Sequence, residues 1–90
     1  MSRAELKVGM PVSLTGAFAP MGRQALAGVR KWVEWANGRG GVSVEAGRPR
    51  RPVRLVHYDD GGRKAGVREA VLKLIEKDKV DLLLGRIPAR

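Results

Sequence analysis

Asp59 and Asp60 are the first residues of this sequence to suggest chemistry. Adjacent carboxylates can hold a metal ion or divide acid and base roles. No further carboxylate or histidine lies at a suitable spacing, and a helical pattern follows directly. The simpler expectation is that both residues begin that helix, accepting orphan N–H bonds at the positive end of its dipole. His57, the sole histidine, sits in an alternating stretch and reads as a strand residue rather than a catalytic base. Ser2 and Ser13 stand in no nucleophile-elbow context. Cysteine is absent, which excludes disulfides and cysteine-based metal or redox sites. These residues form no catalytic constellation, and no cofactor is implied.

Glycines invite a second kind of chemistry. Gly16 and Gly22 are separated by five residues and followed by Arg23-Gln24. A phosphate loop needs four intervening residues, then lysine and a hydroxyl side chain, and a dinucleotide fingerprint needs G-x-G-x-x-G after the first strand. Neither pattern is met.

The third candidate is charge. Eighteen basic residues face nine acidic ones, a formal net charge of +9. Such a balance raises nucleic-acid binding as a possibility. The densest cluster is Arg48, Arg50, Arg51 and Arg54, within Gly47-Arg48-Pro49-Arg50-Arg51-Pro52. A Gly/Pro segment of this kind reads as a solvated basic loop. Single-strand binders interleave aromatics with their cations for base stacking, and the cluster contains none. Binding to nucleic acid is therefore expected to be weak, sequence-independent and salt-sensitive.

The elements that must position these residues follow from periodicity. Leu6, Val8, Met10, Val12 and Leu14 alternate with Lys7, Gly9, Pro11 and Ser13, which argues a strand. Pro11 has no N–H, so the strand is weak or unpartnered on that side. Ala17 to Pro20 reads as a loop. From Met21 to Ala36 the apolar spacing becomes three and four, through Ala25, Leu26, Val29, Trp32, Val33 and Ala36, one stripe of a helix. Asn37-Gly38 and Gly40-Gly41 stop it. Gly28 inside the helix costs about 1 kcal/mol relative to alanine unless a close contact offsets it. Trp35 lies opposite Leu26 on the helical wheel and is expected to be exposed.

Pro52 to Tyr58 is a second strand, with Val53, Leu55 and His57 on one face. Val67, Ala70, Val71, Leu74 and Ile75 mark a second helix, over Arg63–Asp78. Val80, Leu82, Leu83 and Leu84 form a third strand, apolar on both faces as in the centre of a parallel sheet. Strand, helix, strand, helix, strand predicts a βαβαβ half of a doubly wound α/β fold, with right-handed crossovers. The expected sheet is parallel, in spatial order two-one-three, with the helices on opposite faces. Ninety residues make one small domain or a piece of a larger one. No apolar run approaches the roughly 18 residues of a membrane-spanning helix. In such folds ligands meet the carboxyl ends of the strands. That singles out Thr15 to Gly22, Asp59 to Arg63 and Gly85 to Arg90.

Four segments together resemble a known family. They are Leu14-Thr15-Gly16-Ala17-Phe18-Ala19-Pro20-Met21-Gly22, then Asn37-Gly38-Arg39-Gly40-Gly41-Val42, then Tyr58-Asp59-Asp60, then Leu74 to Asp81 leading to Leu84-Gly85. Their order and spacing resemble the start of the branched-chain, or hydrophobic, amino-acid-binding proteins of ABC transporters, which are type I periplasmic binding proteins. The resemblance covers residues 6 to 85. It implies a two-lobe protein with a Rossmann-like lobe on each side of an amino acid, hinge closure, and delivery to a membrane permease without chemistry on the ligand. It implies a periplasmic location, although Met1 to Lys7 carry no apolar core of a secretory signal, so the chain as written is expected to stay in the cytoplasm.

Three ligand-contact positions follow from the resemblance. Met21 stands just before the second glycine of the first loop, where the family places a side chain against the ligand, and Phe18 is close by. Ala89 stands where the family has a serine whose hydroxyl holds the ligand; the hydroxyl is absent here. The chain is thus expected to be the N-terminal part of a first lobe, and one explanation of the departure after Gly85 is a truncated or frame-shifted gene product. Alone it is expected to self-associate and to bind amino acids no better than about millimolar. Two alternatives stand beside this reading: a small basic nucleic-acid-binding module, and the sensing domain of a regulator with the same fold.

Overall fold

A computed structural model describes residues 5–85. Leu6, Val8, Met10 and Val12 are all buried on one face of strand β1, Leu6–Val12. This is the outcome that strict alternation requires when one face meets a helix. That helix, α1, runs Ala19–Gly38. It packs on β1 and on β2, Val53–Asp59, through two apolar clusters. One joins Leu6, Val8 and Val53 to Ala36 and Val33; the other joins Met10 and Val12 to Leu26, Val29 and Leu55.

The helix starts two residues earlier than its periodicity suggested. Pro20 sits in the first turn, where its missing N–H is no loss and its fixed φ suits the helix. It also continues through Asn37 and Gly38. Closure comes at Gly41, whose N–H donates to Ala36 O at 2.9 Å. The expected apolar stripe is narrower in fact. Ala25 and Trp32 are exposed beside a shallow hollow that also holds Gly28 and Leu84. A Cβ at Gly28 would meet nothing within 4 Å, so no close contact offsets its helix penalty.

Helix α2, Lys64–Leu72, continues into a π-helical turn, Lys73–Lys77. It lies on the other face of the sheet. The proof is Gly9, whose position points at Leu74 and Val80, away from the α1 side. Leu74 is wholly buried there, and Ala70 is buried with it. Val67 and Ile75, expected in the core, are exposed.

The sheet is parallel with order β2-β1-β3, and the helices cover opposite faces. β1 pairs with β2 from Leu6–Val53 to Val12–Asp59. β3 is shorter than its apolar run, only Leu82–Leu83, paired with Val8 and Gly9. Val80 has its N–H on Leu74 O at 3.1 Å and so closes the π turn instead of extending the strand. Among the described residues β3 is an edge, not a centre, and its leucines are exposed. β1 is the central strand. Its odd residues turn their backbone toward β3, as the bonds from Asp81 N–H to Lys7 O and from Leu84 N–H to Gly9 O record. Pro11 therefore points its nitrogen past the end of β3, where no strand requires a donor.

Candidate ligand-binding site

Two loops meet at the carboxyl ends of β1 and β2, and side chains clasp them together. Ser13 Oγ donates to Asp60 Oδ1 at 2.7 Å. Asp59 Oδ1 accepts the Leu14 N–H at 2.9 Å, and Asp59 Oδ2 accepts the Thr15 hydroxyl at 2.8 Å. Each aspartate also receives the N–H two residues on, from Gly61 and Gly62, in an Asx-type turn. The pair was expected to cap the second helix. It does not: α2 begins at Lys64 with no side-chain cap, because the carboxylates are turned back onto the first loop. Glycines let the two helices approach this seam. A Cβ on Gly22 would strike the Ser13 carbonyl, and one on Gly66 would strike the Asp60 carbonyl.

Asp59 is held at about 2, below its ordinary carboxylate value, by the Gly61 N–H first, then the Leu14 N–H and the Thr15 hydroxyl. All three favour the charged form. Asp60 is 7% exposed and bonded to Ser13 and Gly62. Both Asp59 oxygens and Asp60 Oδ1 thus brace the loops. Among the described residues no group of three metal-ligating side chains forms.

Above the clasp lies an open cleft of about 690 Å³. Ligand pockets commonly run to roughly 300–1,000 Å³ and are mostly apolar with a few polar groups. Phe18 and Met21 form one wall, more than half exposed to the cleft and solvent. Pro11, Val67 and Leu84 supply further apolar surface, and Ser13, Asp60, Arg63 and Lys64 the polar part. Gly85 closes the third side. The structure thus brings Phe18 and Met21 together at the strand ends. Ala89 lies outside the described residues. Arg63 ends one of the segments expected at the strand ends, whereas Ser13 and Lys64 fall one residue or two outside those segments and were not foreseen as cleft residues.

His57 is elsewhere, on the sheet face under α1. Arg30 Nη2 lies 3.1 Å from its Nε2. A guanidinium only donates, so Nε2 accepts and the ring proton sits on Nδ1. That Nδ1 is buried and has no hydrogen-bond partner among the described residues. Burial first, and then the Arg30 charge, hold the imidazole below its usual value. It is a packed strand residue. The basic cluster is partly tied down as well. Arg51 donates to Glu5 O at 3.0 Å and lies 3.7 Å from Asp81, and Arg54 lies 3.8 Å from Glu5.

A parallel β2-β1-β3 sheet, a helix on each face and a cleft at the carboxyl edge define one βαβαβ unit of a doubly wound binding-protein lobe. Residues 5–89 match the family described as Periplasmic binding protein, and the chain belongs to that family. Among solved structures, it resembles one from Silicibacter pomeroyi described as a candidate branched-chain amino acid ABC transporter. The TM-score is 0.78 at 27% identity, over 90% of this chain and 19% of that one. The chain thus spans less than a quarter of that relative's length. No curated protein sequence matches it. The family binds its ligands and does not transform them.

Proposed function

We propose that this chain forms part of the ligand-binding wall of a periplasmic solute-binding protein for ABC transport. Branched-chain or related amino acids are the ligands, and an ABC permease is the partner of the whole protein. Phe18 and Met21 give apolar contact to the ligand side chain. By the family resemblance Ala89 takes the position that would meet the ligand's polar end, without a hydroxyl to offer. The observation that carries this reading is the mostly apolar cleft at the carboxyl ends of β1 and β2, with Phe18 and Met21 on its rim. The likeness to the Silicibacter pomeroyi protein supports the amino-acid class. No reaction is assigned, since the aspartates nearest the cleft are spent on the loops.

One wall leaves a bound carboxylate in water, where its hydrogen bonds add little net free energy. Affinity of the 90-residue chain is therefore about millimolar or weaker, near −4 kcal/mol. Amide-resolved NMR during titration with leucine, isoleucine and valine tests the proposal at that strength. Expected are small saturable shifts confined to Ser13–Gly22, Asp60–Lys64 and Gly85. Shifts centred on another part of the fold, or none at tens of millimolar, would remove the proposed wall.

A further inference from the structure

The end of the molecule away from the cleft has its own chemistry. Five arginines and one carboxylate, Glu45, fall between residues 39 and 54. No aromatic interrupts them in sequence, yet the fold supplies one. Trp35, near the end of α1, is 58% exposed, and the Arg39 guanidinium lies over its ring at 4.7 Å from the centroid. Arg50 joins them, its Nη1 donating to Arg39 O at 2.9 Å. The antiparallel bridge between Val42 and Arg51 draws the intervening segment into a narrow loop that carries Val44 half exposed. Glu45 is engaged with Arg48 at 3.6 Å in a solvent-exposed pair. Asp81 likewise faces Arg51 at 3.7 Å and Glu5 faces Arg54 at 3.8 Å. The pole therefore shows an indole, an exposed valine and two guanidiniums, Arg39 and Arg50, that meet no carboxylate among the described residues.

We propose that this pole is a docking surface for an anionic lipid bilayer. Indole rings settle at the headgroup level, one side apolar and the other wet. Guanidinium groups grip phosphate oxygens bidentately. Basic side chains near an anionic leaflet add to binding one by one, within a Debye length of the surface. A single-stranded nucleic acid fits less well, because base stacking needs successive open aromatic faces. Trp35 has one face covered by Arg39, Trp32 lines the hollow with Gly28 and Leu84, Phe18 lines the cleft and Tyr58 bonds Asp78 on the α2 side. The pole lies apart from the cleft residues, so docking by it does not depend on what the cleft binds.

Vesicle flotation of the 90-residue chain tests the proposal, with phosphatidylcholine vesicles lacking or containing phosphatidylglycerol. A Trp32→Phe background makes the emission report Trp35. Binding is expected to anionic vesicles only, with a blue shift of Trp35. Arg39→Gln and Arg50→Gln should each weaken it about fivefold. Arg23→Gln and Arg68→Gln, exposed and outside the pole, should change it by less than about twofold. Equal losses from the two pairs would assign the effect to net charge and overturn the proposal. So would no binding, or bound chain with unshifted Trp35 emission. Tighter binding to a single-stranded oligonucleotide than to anionic vesicles, with Trp35 quenched, would overturn it in favour of nucleic acid.

Discussion

Ser13 Oγ and Asp60 Oδ1, 47 residues apart in the chain, are joined by a 2.7 Å hydrogen bond that locks the first loop to the second. The acceptor is buried and the donor half-buried, so the bond is shielded from much of the competing water. Hydrogen bonds to charged groups under such conditions contribute more than neutral ones. Among the described residues, Ser13→Ala leaves the Asp60 carboxylate with the Gly62 N–H alone. The expected loss is about 1–2 kcal/mol of unfolding free energy, read from the midpoint shift in urea. An unchanged midpoint would mean that the clasp does not hold the loops.

Two glycines of the same helix should respond with opposite sign. Gly22→Ala drives a methyl into the Ser13 carbonyl, which is backbone and cannot step aside cheaply. The expected cost is about 3 kcal/mol. Gly28→Ala meets open space and gains helix propensity, about 1 kcal/mol of stabilisation. Thermal melts of the two variants against the parent decide the matter, and two shifts of the same sign would contradict the packing described for α1.

Much of the fold is legible from period alone. The alternation of Leu6, Val8, Met10 and Val12 gives β1 its buried face, and the right-handed crossover rule then leads to the observed order. What escapes is the identity of partners. Asn37 reads as a helix stop, yet the helix runs past it and its side chain pairs with the backbone of Val53, accepting at 2.7 Å and donating at 2.9 Å. An amide that mimics a strand's hydrogen bonds looks, in sequence, like any other asparagine near a glycine. The aspartates escape similarly, since whether they cap a helix or clasp a loop depends on the path through Gly61 and Gly62. For the cleft, Phe18 and Met21 lie on the expected loop. Arg63 and Lys64 reach it only because α2 starts after the clasp instead of at it.

Acid should act in two windows. Asp59 sits at about 2 when folded, against an ordinary value of 3.8, so the folded state holds fewer protons there. Its contribution is present above about pH 4 and is lost as the pH falls toward about 2. Urea midpoints measured through that range should fall steeply for the parent and less steeply for Asp59→Asn. His57 is held below 6.5, so the folded state again binds fewer protons. Its contribution is present above the unfolded value and declines as the pH drops below it. His57→Gln should flatten that upper segment only. A slope that survives both substitutions would place the titrating groups elsewhere.

The last expectation concerns β3. Leu82 is 52% exposed and Leu83 is little better covered, on a strand with no outer neighbour among the described residues, and Leu84 just past it is exposed too. An apolar edge offers both unpaired backbone groups and hydrophobic surface to another chain. Beside it, Trp32 and Leu84 rim an apolar hollow, which enlarges the same sticky face. The 90-residue chain should therefore associate with itself, and should do so more at higher concentration. Leu82→Lys puts a charge on the edge at a residue that belongs to neither α1 cluster. It should shift the chain toward monomer while leaving the far-ultraviolet spectrum unchanged. Sedimentation velocity over a tenfold or so range of concentration reads both effects, because association is a mass-action equilibrium. A parent that stays monomeric throughout, or a Leu82→Lys variant that associates equally well, would show that the leucine edge is not where these chains meet.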